Sequence, residues 1–334
     1  MADEVILVTG ATGNVGRVVV EQLLTAGRRV RAAGRSTESV RRMFGQRVEA
    51  VALDFTDEMT WPGVFDGVRQ MFLLRPPHLG KPKTQIIPAL EYARARGVEQ
   101  VVFLSVQGTE KNKAVPHAAI EAWLRASGAA WTFVRASFFH QNLSTTHLTD
   151  IRDRDEIVVP AGRGATAFVD AEDVGAVGAA ALLDPPAHRN TAWTVTGNEA
   201  LTYEQVARIL ANELGRPIRY ARPGIFRYLG HARRILGMPW GMALVTAAIY
   251  TTARLGLAGG LSGTVREVLG RDPISFAEFG HRERDIWKPA PASKETSLGL
   301  HCPEPPATTG TLSGRSIFTG AGRAWPGCGL LRAT

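Results

Sequence analysis

The chain has 334 residues, 45% of them hydrophobic and 21% charged; these are the proportions of a packed globular protein and exclude collagen, coiled coil or disorder for its bulk. Its length holds one large domain or a domain with a smaller appended lobe. The formal net charge of +8 raises nucleic acid as a ligand, but the arginines are scattered, with no long basic run and no interleaved aromatics to stack bases, so nucleic acid is set aside.

The N-terminus, MADEVILVTG, is acidic and holds only the short apolar run Val5 to Val8, which is no signal peptide and points to the cytoplasm. Short β-rich runs then alternate with helical patterns: VILV at Val5, VRAA from Val30, VEAVAL from Val48, QMFLL from Gln70, VVFLS from Val101 and WTFVR from Trp131. The crossover-length segments between them predict βαβ units in a mainly parallel sheet, with helices on both faces. Helices are expected over Val15 to Ala26, Thr84 to Arg96 and Pro116 to Ser127, with Gly27 and Gly97 as C-terminal caps and Pro116 in a first turn. After about Ser137 the alternation loosens. A hairpin-like stretch holds IVVP and AFVD, a helix spans Ala171 to Leu183, WTVTG follows, and a further helix covers Tyr203 to Leu214. Met238 to Ala253 carries no charge; it is shorter than the roughly twenty apolar residues of a membrane span and reads as a buried helix or as a lid over an apolar substrate. From about Pro289 onward Pro, Gly, Ser and Thr dominate without periodicity, the composition of a disordered tail. Cys302 and Cys328 fall in that tail, so neither a disulfide framework nor a cysteine metal site is expected and a reducing compartment fits.

The run VILVTGATGNVGRVVVEQLL sets Gly10, Gly13 and Gly16 directly after a strand and at the opening of a helix. In that context Gly10 permits a tight turn, Gly13 removes a side chain that would block a pyrophosphate, and Gly16 lets helix and strand pack closely. The residues this turn offers a dinucleotide are Thr9, Gly10, Thr12, Gly13, Asn14, Val15 and Gly16, with the helix N-terminus turned to the phosphates. The alternative is a glycine-rich turn without a ligand. An NAD-selective site has a carboxylate at the end of the second strand; here Gly34 leads into Arg35, Ser36 and Thr37, which suit the 2′-phosphate of NADP, so NADP(H) is expected over NAD(H). A plain surface role for Arg35 stays open, because Glu38 is close enough in sequence to engage a ribose hydroxyl instead.

With these motifs the sequence resembles the NmrA-like group of atypical short-chain dehydrogenases, which includes azoreductase-like and quinone-reductase-like proteins. The resemblance runs over roughly residues 4 to 288 and rests on TGATGNVG, Arg35, the pair Asp54 and Phe55 in VALDFTD, VVFLSVQG, RASFFHQNL, FVDAEDVG, WTVTG with LTYEQVARIL, and GRDPISFAEF. It implies an α/β fold with a Rossmann-type doubly wound parallel sheet and a smaller C-terminal substrate lobe: a cofactor-binding core at 1–136, the lobe with returning core elements at 137–288, and the tail at 289–334. It also implies that Asp54 and Phe55 lie beside the adenine, and that Leu74, Arg75 and Pro76 border the nicotinamide-side ribose. A helix cap at Thr56 to Glu58 explains Asp54 equally well.

The Tyr-x-x-x-Lys pair of typical short-chain dehydrogenases is absent. In its place PHAAIEAWL offers His117 and Glu121, four residues apart on one helical face. The resemblance implies this exchange, with His117 as proton donor, Glu121 holding the imidazolium and Ser105 near the nicotinamide; a solvated helix pair and a strand-terminal cap are the plainer alternatives. Phe138, Phe139, His140 and Asn142 follow the sixth strand and are expected to face the cleft as an apolar wall suited to a flat aromatic substrate, unless the phenylalanines are core. The histidines show no ligand spacing for a metal, and neither a Gly-x-Ser-x-Gly elbow nor a P-loop is present. The expected activity is NADPH-dependent reduction of an apolar aromatic, quinone-like, azo or conjugated carbonyl compound; the alternative is an NADP(H)-sensing regulator without turnover, and an isomerase is disfavoured by the missing tyrosine. A small-molecule substrate is the expected partner, with no nucleic acid and no membrane, and a homodimer is left open.

Overall fold

Ile6, Leu7 and Val8 are wholly buried, as a strand must be when helices cover both faces of its sheet. They belong to β1 (Val5–Thr9), an interior strand of the main sheet in a computed structural model that describes residues 4–289. The remaining strands are β2 (Arg29–Gly34), β3 (Glu49–Ala52), β4 (Val68–Leu74), β5 (Gln100–Val106), β6 (Ala130–Ala136), β7 (Phe138–Phe139), β8 (Glu156–Ile157), β9 (Ala165–Val169), β10 (Thr191–Val195), β11 (Ala200–Thr202) and β12 (Arg219–Tyr220). Seven of them form one sheet in the order β10-β6-β5-β4-β1-β2-β3, and every pairing in it is parallel. This is the doubly wound Rossmann-type arrangement expected from the sequence. β1 lies between β2 and β4: the chain runs outward from β1 through β2 to β3 and then crosses back to β4 on the other side of β1, which opens a crevice at the carboxyl ends of β1 and β4.

Helices Asn14–Thr25, Ile87–Ala95, Pro116–Ala126, Ala171–Leu183 and Tyr203–Leu214 stand where the periodicity placed them, within a few residues. The first and fourth pack with Ile6, Val8, Val102 and Val134 on one face of the sheet; Ile87–Ala95 and Pro116–Ala126 pack with Leu7, Phe103 and Phe133 on the other. This alternation along each strand follows from the two-residue period of the pleat.

Two expectations need correction, for the IVVP and AFVD stretch and for the uncharged segment. The stretch with IVVP and AFVD is no hairpin: β8 pairs with β12, while β9 pairs with β11 and β7. The WTVTG stretch, whose place the sequence leaves open, gives β10, an edge strand of the main sheet against β6. The uncharged segment forms a helix, Trp240–Arg254, that is only half buried. Its inner face is Ala243, Ala247, Tyr250 and Ala253, its end is seated where a Cβ on Gly164 would fall on the Ala253 carbonyl oxygen, and its outer face is open.

A separate hydrophobic cluster gathers Ile151, Phe168, Tyr203, Tyr228, Tyr250, Phe276, Phe279 and Trp287. Asp170 ties it to the sheet: it caps helix Ala171–Leu183 through the Glu172 amide at 2.9 Å and takes hydrogen bonds from Gln141 at 2.9 Å and Arg282 at 2.7 Å. Burial works to raise the Asp170 pKa, but the adjacent His140, the hydrogen bond from the Glu172 amide and the charge of Arg282 overcome that and bring it to about 2. The predicted tail and both cysteines lie outside the described residues, except Pro289.

Candidate functional site

The turn after β1 is built as its glycines require. Gly10 has φ +62° and lies under Leu74, whose side chain stands 3.1 Å from where a Cβ would be. A Cβ on Gly16 would fall onto the Gly10 carbonyl oxygen, so only glycine lets the helix begin this close to the strand. The first helical bond runs from the Arg17 amide to the Gly13 carbonyl at 2.9 Å, which leaves the amides of Asn14, Val15 and Gly16 without a helical acceptor. No side chain caps this end and its first turn holds no acid. Thr12 is half-buried and Asn14 exposed at the rim, whereas Val15 is core. The Thr9 hydroxyl is occupied: it donates to the Phe72 carbonyl at 3.1 Å and accepts from the Leu74 amide at 2.8 Å. Thr9 therefore clips β1 to β4 and holds the crevice in shape.

At the end of β2, Arg35 is exposed and makes no ion pair among the described residues. Glu38, the rival candidate, is engaged by Arg42 at 2.6 Å. The corner thus offers a free guanidinium and no free carboxylate. Asp54 is not the cap of the short helix Glu58–Thr60; Asp57 is, through the Met59 amide at 3.0 Å. Asp54 instead accepts from the Thr56 hydroxyl at 2.7 Å and the Thr56 amide at 2.8 Å, bonds that hold its carboxyl below the usual range. The Phe55 side chain is buried in the core.

The proposed acid–base group is arranged differently from its spacing. Arg75 anchors its own loop, donating from Nη1 to the carbonyls of Pro76 at 3.0 Å and Leu79 at 2.9 Å, and its Nε donates to His117 Nε2 at 3.4 Å. Burial and the Arg75 charge push the His117 pKa down to about 3, so it is a neutral imidazole in the physiological range. Glu121 does not hold it. Glu121 is buried and accepts from the Ser105 hydroxyl at 2.7 Å and from Arg135 at 3.0 Å and 2.6 Å, two bonds to its two oxygens. The pairing of His117 with Glu121 is corrected accordingly: the carboxylate took the stronger bidentate partner on β6. Sequence reasoning overlooked Arg135. A clue was available, since an arginine inside the strand run WTFVRA needs a buried counter-charge.

The expected substrate wall is split by the strand period. Phe138 packs near Tyr250, with ring centroids 6.3 Å apart, while Phe139 joins the sheet's cluster. His140 does not face the cleft: it is buried with Phe168, Phe276 and Phe279 around it and its Nδ1 3.5 Å from Asp170. Asn142 is half-buried, and its side chain has no partner among the described residues.

This architecture is found among known proteins. An NAD(P)H azoreductase of Xenophilus azovorans is 33% identical over 283 residues, 82% of this chain and 96% of that protein. A quinone oxidoreductase of Escherichia coli, solved with NADPH, matches with a TM-score of 0.74 at 22% identity, over 83% of this chain and 99% of that one. NmrA, a negative transcriptional regulator solved with NADP, matches with a TM-score of 0.68 at 18% identity, over 86% and 97%. At such identities the two structures speak for the fold, and the fold hosts both enzymes and a regulator. The family model of the NmrA-like proteins matches residues 2–250, and the chain belongs to the NmrA-like family.

Proposed function

We propose that the protein is an NADPH-dependent oxidoreductase acting on an apolar, conjugated acceptor such as a quinone, an azo compound or an unsaturated ketone. The observation that carries this reading is the corner formed by the uncapped helix N-terminus after Gly13 and the free Arg35 beside an engaged Glu38. The residues fit a dinucleotide phosphate. The amides of Asn14, Val15 and Gly16 suit a pyrophosphate and Arg35 a 2′-phosphate, and the azoreductase relative supports a nicotinamide cofactor. When bound, NADPH supplies a hydride; the chain supplies position and electrostatics.

Thr9 and Leu74 fix the crevice at the ends of β1 and β4, and Arg75 braces the loop from Pro76 to Leu79 beside it. His117, neutral and accepting from Arg75, brings no imidazolium to the reaction. Acceptors that take a hydride without a proton delivered by the enzyme therefore suit the site, because their negative charge is spread over a conjugated system. Phe138 and Asn142 are proposed at the substrate's edge, one apolar and one free to hydrogen-bond. The test is NADPH oxidation by purified protein across quinones, azo dyes and unsaturated ketones, with cofactor binding verified in the same preparation. Turnover on at least one class is expected; tight binding with no turnover on any would make the protein a cofactor sensor instead.

A further inference from the structure

Helices Ile225–Arg234 and Trp240–Arg254 lie against each other and carry a surface unlike the rest of the molecule. In Trp240–Arg254 the inner face is Ala243, Ala247, Tyr250 and Ala253, while the aliphatic side chains Leu244, Val245 and Ile249 face outward, 55%, 60% and 46% exposed. Phe226 on the neighbouring helix is 91% exposed. A helix apolar all round is normally buried in a core or against lipid, and large apolar side chains left exposed on two adjoining helices mark a binding face.

The charge around it selects the occupant. Between Glu213 and Glu267 every formally charged side chain is an arginine. Arg227, Arg234 and Arg254 are exposed and have no hydrogen-bond or ion-pair partner among the described residues, and Arg233 lies 5.3 Å over the Trp240 ring. A second copy of the chain is a poor cover: a twofold interface sets the same patch against itself and would bring these arginines together with no local acid to pair them. No helix among the described residues is long and apolar enough to cross a membrane. An apolar face fringed by unpaired arginines matches a surface that is apolar within and anionic at its rim.

We infer that this face seats the protein on the surface of an anionic bilayer, with Phe226, Leu244, Val245 and Ile249 at the acyl boundary and Arg227 and Arg234 among the headgroups. This inference departs from the sequence expectation of no membrane partner, because composition did not reveal that the large side chains of helix Trp240–Arg254 face outward. It stands apart from the redox reading, since none of these residues belongs to the cofactor corner.

The full chain is mixed with vesicles of phosphatidylcholine alone or of phosphatidylcholine with phosphatidylglycerol, and the bound fraction is read by sedimentation. Binding to the anionic vesicles only, weakening as salt is raised, is expected. Arg227→Gln with Arg234→Gln should weaken it roughly thirtyfold, and Leu244→Gln with Ile249→Gln should abolish it, both with an unchanged thermal midpoint because these side chains are exposed. Equal partition onto neutral vesicles, or variants that bind like the wild type, overturns the inference. So does an absence of vesicle binding alongside a dimer that Leu244→Gln with Ile249→Gln disperses, which would give the face to a second copy.

Discussion

At Gly16 the space for a methyl group does not exist, because it would coincide with the Gly10 carbonyl oxygen. Gly16→Ala is expected to cost about 1–3 kcal/mol and to weaken dinucleotide binding on the order of tenfold or more, since the turn must shift to admit it. Gly27→Ala, at φ +70° in open space, should cost about 1–2 kcal/mol in backbone strain and leave binding alone. Denaturant unfolding and cofactor titration of both variants check this, and an equal loss of binding in both would count against the turn. His117 carries a second expectation. Its folded pKa of about 3 lies below the free value of 6.5, so between those limits the unfolded chain holds the extra proton and stability falls as the pH falls. His117→Gln should flatten that slope by up to one proton in unfolding curves taken from neutral to mildly acid pH; an unchanged slope would mean that the imidazole is not held neutral. The glycines and Arg35 were legible in the sequence because their constraints are local. The partner of Glu121 was not: helical spacing names the neighbours on one face, and Arg135 reaches Glu121 from a strand.

Among the elements, β6 and helix Pro116–Ala126 are joined by the buried pair of Arg135 and Glu121. Removing one partner leaves the other charge buried, so Arg135→Met should cost about 3–5 kcal/mol. Arg135→Met combined with Glu121→Leu should recover most of that loss, because two matched apolar groups need no counter-charge. Denaturant unfolding of the three chains measures the coupling, and additive losses would show that the pair is not the link. The parallel sheet and its crossover helices were legible from alternating runs. The small sheets were not, since β8 meets β12 and β9 meets β7 and β11 across long stretches of chain, and short strands carry little period of their own. The helix Trp240–Arg254 was recognisable by its lack of charge, but composition alone does not tell a buried helix from one whose large side chains face outward.

On the scale of the whole molecule, the sheet order places the ends of β1, β2 and β4 side by side, and with them the glycine turn, Arg35 and the Arg75 loop. The fold thereby assembles one corner suited to a phosphorylated dinucleotide. Membership of the NmrA-like family accords with it, while the two small sheets are the part whose pairings the sequence revealed least. Whether Arg35 reads the 2′-phosphate is tested by calorimetric titration of the wild type and Arg35→Ala with NADPH and with NADH. The wild type is expected to prefer NADPH, and Arg35→Ala to lose roughly ten- to hundredfold in NADPH affinity with little change for NADH, as for one charge-assisted phosphate contact. Equal affinity of the wild type for both cofactors, or an Arg35→Ala chain that still prefers NADPH, would contradict that role of Arg35.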